Sequence, residues 1–132
     1  ERGGRYLLVE EDSPRGPVLN NPAGHLDQGE TLLQAVVREV LEETARRFTP
    51  THLVGAYLAP SARGDVTYLR FAFAGEVGEP EPGRALDAGI LRTVWLSPEE
   101  IEAGRARHRS ALLARGIADH RAGCRFPLDL LR

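Results

Sequence analysis

Lysine is missing from this chain, and all 17 basic residues are arginine. That excludes a phosphate loop ending in Gly-Lys-Ser/Thr and any mechanism built on a lysine Schiff base. Cysteine occurs once, at Cys124, which rules out an internal disulfide and a multi-cysteine zinc site. Methionine is absent, the initiator included, so the natural N-terminus is expected before Glu1, with an N-terminal strand missing from the front of the fold. No apolar run approaches the roughly 18 to 20 residues of a membrane span, and no secretory leader is visible. A net charge of −2 with 42% hydrophobic residues gives no general attraction to nucleic acid and no disorder signature. The expectation is one cytoplasmic domain over residues 1–132, long enough for a real core, without membrane or stable nucleic-acid partners.

Apolar periodicity and turn residues outline the elements. "RYLLVEE" (Arg5 to Glu11) reads as a buried strand and "DSPRGP" as a turn. "VLNNPAGHLDQGE" reads mostly as loop, with Pro22 biasing Asn21 away from helix. A helix is expected from Thr31 to Thr44. "HLVGAYLAP" and "VTYLRFAFAGEV" read as an antiparallel hairpin across the turn "SARGD". After the Pro/Gly-rich loop "GEPEPGRALDAG", "ILRTVWL" is a strand. Ser97, Pro98 and Glu100 are the cap, first residue and capping-box acid of a second helix. Further helix is expected between Arg105 and Arg121. The order suggests an α/β protein with a mixed sheet covered by helices.

The 31–44 helix carries an anomaly. With Leu33 at zero, Val36, Val37 and Val40 fall at about −60°, +40° and −20°, an apolar stripe for the core. Glu39, Glu43 and Glu42 fall at about −120°, −80° and −180°. Three carboxylates thus share a face in the last turns, where the helix dipole disfavours negative charge. They could be a solvated face with i,i+4 pairs from Glu42 to Arg46 and Glu43 to Arg47. The alternative is a divalent cation, and oxygen-only donors favour Mg²⁺ or Mn²⁺ over zinc.

The loop ahead of the helix decides between them. Gly24, Glu30, Arg38, Glu39, Glu42 and Glu43 stand in the pattern G-x5-E-x7-R-E-V-x-E-E. Those six identities would arise by chance in about one of ten thousand chains of this composition. The pattern resembles the signature box of the Nudix hydrolases. It departs at the end, where Ala45 and Arg46 replace the usual glycine and bulky aliphatic residue. The helix end is therefore expected to be displaced, or the helix to run on towards Phe48. "PAGHLDQGETL", "YLRFAF", "WLSPEEI" and "RFPLDLL" further resemble the NudJ-type phosphatase branch.

That resemblance implies a three-layer α-β-α sandwich with a central mixed sheet, and Mg²⁺-dependent hydrolysis of a small-molecule phosphoanhydride. Nucleoside di- and triphosphates, thiamine diphosphate and its hydroxymethylpyrimidine diphosphate precursor are the implied substrates. The rivals are a nucleotide-sugar or ADP-ribose pyrophosphatase and a non-catalytic binding module. By the resemblance, Glu39, Glu42 and Glu43 with the Gly24 carbonyl hold Mg²⁺, for which Mn²⁺ can substitute. Glu42 or Glu39 is the candidate base, and Arg38 and Glu30 brace the carboxylates and loop. His25 is open between substrate phosphate and a capping or solvent-facing role. Arg70 is open between phosphate and a sheet carboxylate. Tyr68 and Phe71 read as core, Trp95 as packing, and "RARHRS" (Arg105 to Ser110) as a solvated face. A monomer is favoured over a dimer.

Overall fold

The computed structural model describes residues 1–131. Its elements are β1 (Tyr6–Glu11), β2 (Val18–Asn20), α1 (Leu32–Thr44), β3 (Phe48–Pro60), β4 (Thr67–Val77), β5 (Ile90–Leu96), α2 (Pro98–Ala103) and α3 (Leu112–Arg121). Strand β1 lies between β2 and β5 in an antiparallel sheet, while β3 and β4 form a separate antiparallel ribbon. The parallel component expected of a mixed sheet is one bridge, Leu19 to His108, where the Arg109 amide donates to the Leu19 carbonyl at 2.8 Å.

Alternation along β1 builds two environments. Leu8 is fully buried and joins Leu19, Ile101, Leu113 and Ile117 in a core under α2 and α3, with Tyr6, Val94 and Leu96 packed against it. Val9 and Glu11 point to the other face, where Glu11 lies close enough to Glu43 of α1 to perturb it. Helix α1 contacts β3 and β5. Its buried residues are Ala35, Val40, Glu43 and Thr44, whereas Leu33, Val36 and Val37 are only half-buried. A glutamate therefore takes part of the enclosed surface that the apolar stripe alone was expected to fill.

Both α1 and α2 start with a capping box, of which only the second was expected. The Thr31 hydroxyl accepts the Gln34 amide at 3.1 Å and the Gln34 side chain accepts the Thr31 amide at 2.9 Å. Ser97 and Glu100 repeat the arrangement on α2. The far end of α1 differs from expectation. The helix neither moves nor continues but stops at Thr44, with Ala45 in the left-handed region at φ 58°. Its orphan carbonyls (fixed acceptors that helix geometry leaves without donors) are taken by the following loop. The Asp87 amide donates to Glu42 O at 3.0 Å and the Glu81 amide to Ala45 O at 2.7 Å. An L-residue in this conformation costs about 1–2 kcal/mol, and burial of the Ala45 methyl (4% exposed) returns about 0.8 kcal/mol. The two nearly offset, so Ala45→Gly is expected to move the unfolding midpoint by less than about 5 °C. A calorimetric scan checks this.

Other expectations are corrected by burial and pairing. The start of the 18–30 segment is strand: Val18–Asn20 pair with Val9–Glu11, a stretch too short to show periodicity. Strand β3 begins at Phe48, four residues before His52, and carries Pro50 beside a register shift, the kind of position a sheet tolerates for proline. The Arg105 to Ser110 segment is the exposed face expected at Arg105, Ala106, Arg107 and Arg109, but its side chains are also tied to the sheet and His108 is buried. Arg107 donates to Glu10 at 3.0 Å, Arg109 to Glu11 at 2.8 Å, and the buried His108 ring lies 2.8 Å from the Ile101 carbonyl. It clasps β1. Arg46 fills the place of the aliphatic residue by lying over the Trp95 ring at 5.6 Å and donating to the Gly78 carbonyl at 2.9 Å.

Candidate functional site

Arg38 organises the loop before α1. Its Nε and Nη2 donate to the two oxygens of Glu30 at 2.6 and 2.9 Å. Nη1 donates to Glu39 at 2.6 Å and Glu42 at 3.1 Å, and Nη2 also reaches the His25 carbonyl at 3.0 Å. All five N–H donors of the guanidinium are thereby used. Glu30 also accepts the Asp27 amide at 3.0 Å. The guanidinium and that amide hold its carboxyl down at a pKa of about 2. The same carboxylates hold the Arg38 proton more tightly than usual.

Gly24 lies directly against the Glu39 carboxylate, and an added Cβ would overlap it. Only a residue without a side chain lets the loop backbone approach so closely. Oxygens of Glu39, Glu42 and Asp87 all lie within 4.8 Å of one another. Asp87 reaches this group because its own amide is bonded to the Glu42 carbonyl. Three carboxylates with no nitrogen or sulfur donor suit a hard divalent cation such as Mg²⁺.

Glu43 does not join that trio. Its side chain is buried at 7% exposure and accepts the Ala23 amide at 3.1 Å. Burial, followed by the charges of Glu11, Glu39 and Asp87, pushes its carboxyl up to about 7. Beyond it, Arg70 donates to Asn20 Oδ1 at 3.4 Å, and Asn20 donates to Glu11 at 3.2 Å. Arg70 thus sits among Asn20, Glu11 and Glu43, with burial lowering its pKa and the two carboxylates raising it. The His25 ring stacks on Tyr68, centroids 6.0 Å apart and planes 14° from parallel. Tyr68 is 47% exposed, so it is not the core residue expected from its strand. Phe71 is half-buried.

Sequence reasoning placed Gly24, Glu30, Arg38, Glu39, Glu42 and Glu43 in one cluster; the first five are together, while Glu43 is set apart by its burial against the Ala23 amide. It missed Asp87, which is brought in by the loop's hydrogen bonds to the helix end and carries no spacing signal. It also missed Glu11 and Asn20, whose approach to Glu43 depends on sheet register.

The NUDIX domain family matches residues 1–115. Phosphatase NudJ from Escherichia coli (strain K12) is 36% identical over 130 residues, covering 97% of this chain and 82% of that protein, as is phosphatase NudJ from Shigella flexneri. A NUDIX hydrolase from Nitrosomonas europaea is 50% identical, with a TM-score of 0.94 over 100% of this chain and 90% of that one. The MutT protein from Methanosarcina mazei Go1, at 21% identity, shares the fold with a TM-score of 0.72 over 92% of this chain and 87% of its own. With the box residues gathered at the end of α1 in the α/β fold of these relatives, the chain belongs to the Nudix hydrolase family.

Proposed function

We propose that this Nudix hydrolase is a Mg²⁺-dependent phosphatase of the NudJ type, cleaving a phosphoanhydride bond in a nucleoside di- or triphosphate or a thiamine-type diphosphate. One observation carries the reading: Glu39, Glu42 and Asp87 converge within 4.8 Å beside the Gly24 loop. These residues would hold Mg²⁺ or Mn²⁺, with Glu43 and the Gly24 carbonyl completing the set. The bound cation would neutralise phosphoanhydride oxygens and acidify a water.

The chain's own groups do the rest. Glu39 or Glu42 accepts the proton of the attacking water at a carboxylate oxygen. Arg38, pinned by Glu30, sets the rotamers of both carboxylates and ties them to the His25 carbonyl. Arg70, without a carboxylate inside ion-pair distance among the described residues, is the substrate-binding cation, and His25 flanks the same entrance. The reading is of a monomer.

Gly24→Ala tests the close approach of loop and carboxylate. The added methyl must displace the Glu39 carboxylate, and a shift of about 1 Å in a reacting geometry lowers turnover about a hundredfold. The unfolding midpoint is expected to stay within about 3 °C, because the loop is exposed and its neighbour is a side-chain terminus. Steady-state kinetics and a thermal scan on the same sample check both. The function itself is tested by a panel of di- and triphosphates with Mg²⁺, scored for orthophosphate, pyrophosphate and phosphomonoesters. Orthophosphate from a terminal phosphate is the expected product. Two phosphomonoesters from a nucleotide sugar or ADP-ribose, with no orthophosphate from any substrate, would overturn the reading.

A further inference from the structure

We infer that Tyr68, backed by His25, is a stacking platform for a planar heteroaromatic ring on the diphosphate substrate, so ring-bearing diphosphates bind better than ringless ones. The inference deepens the proposed function and rests on it for the location of the phosphates. The Tyr68 hydroxyl needs only its tip in water, yet 47% of the residue faces solvent. Its partner across the β3–β4 ladder is Ala59, whose methyl is too short to cover an aromatic ring. On the same strand face, two residues on, stands Arg70. On the loop side the His25 ring lies nearly parallel to Tyr68, at 14° and 6.0 Å. Its carbonyl is held by Arg38 at 3.0 Å, and its neighbour is Gly24, packed against Glu39.

The platform therefore joins the two sides of the entrance. The carboxylate cluster lies behind His25, and the half-buried Arg70 lies beside Tyr68. A substrate with its phosphates at the carboxylates would present its next chemical group to these rings. Two near-parallel aromatic faces favour another flat π-surface over an aliphatic chain or a sugar. Stacking is tolerant of ring identity because every heterocycle offers a π-face. A ringless polyphosphate would gain nothing from the platform.

The test is equilibrium binding of ADP and inorganic tripolyphosphate, with Ca²⁺ replacing Mg²⁺, to native protein, Tyr68→Thr and Tyr68→Phe. Threonine is a strand former without a ring, so the hairpin is kept, and circular dichroism monitors it. The Kd ratio of ADP to tripolyphosphate is expected to rise about tenfold in Tyr68→Thr and to return to within about twofold of native in Tyr68→Phe. An unchanged ratio in Tyr68→Thr, or native protein that binds tripolyphosphate but not ADP, overturns the platform. Because binding is read directly, failure of hydrolysis would count against the proposed function while the platform is still decided.

Discussion

Glu43→Gln is expected to lower turnover by about three orders of magnitude while making the metal-free protein more stable at alkaline pH. Both effects follow from one buried carboxyl. The Glu43 side chain accepts the Ala23 amide at 3.1 Å, and glutamine keeps a carbonyl oxygen for that bond. What disappears is a charge that burial and the acids Glu11, Glu39 and Asp87 disfavour, raising the carboxyl to about 7. A folded-state pKa above the unfolded value of 4.5 means the native state binds the extra proton. The stabilising contribution is complete below pH 4.5 and is lost as pH rises through 7.

Glutamine has no such loss. The stability gain of Glu43→Gln in EDTA should therefore be near zero at pH 4.5 and reach about 1–2 kcal/mol at pH 8, after allowing for solvent screening. Denaturant melts across that range measure it. Near-native turnover at saturating Mg²⁺, or a stability gain independent of pH, would contradict the role assigned to Glu43.

Arg38→Ala is expected to weaken divalent-metal affinity about 10- to 100-fold and to lower turnover at saturating metal by about two orders of magnitude. The guanidinium simultaneously holds Glu30, Glu39, Glu42 and the His25 carbonyl. Its loss frees two of the clustered carboxylates and the loop that approaches them. The removed positive charge acts in the opposite sense, because unneutralised carboxylates attract a cation more strongly. Orientation should dominate, since a multidentate site gains from each ligand only when its oxygens are directed together. Arg38→Lys separates the two effects. It restores the charge but not the planar fork, so it should recover little of the lost turnover. Recovery to within about twofold would show that charge alone was needed.

The parts of this molecule legible in its sequence are those set by local chemistry. The 3.6-residue pattern places α1 to within a residue, and Ser97–Pro98–Glu100 marks the start of α2. The hairpin around Ser61–Val66 follows from strand composition and turn residues. The grouping of Gly24, Glu30, Arg38, Glu39 and Glu42 follows from one helix and the loop feeding it.

What escaped depends on contacts distant in sequence. Asp87 joins the carboxylates because loop amides seek the unsatisfied carbonyls at the end of α1. Glu43 is buried because β1 presents Glu11 rather than open solvent on that face. The exposure of Tyr68 depends on finding only Ala59 across the ladder. The stop at Ala45 illustrates tertiary context overriding propensity: Glu81 and Asp87 fix the chain's exit, so alanine adopts a conformation that glycine would take more readily.

The most direct measurement is titration of the protein with Mn²⁺, followed by electron paramagnetic resonance of the free ion. The native chain should bind the ion saturably, with Mg²⁺ competing, and Glu39→Gln should weaken the affinity more than tenfold while the fold, read by circular dichroism, is retained. No saturable binding to the native protein, or binding that Glu39→Gln leaves unaltered, would show that these acids do not form the metal centre.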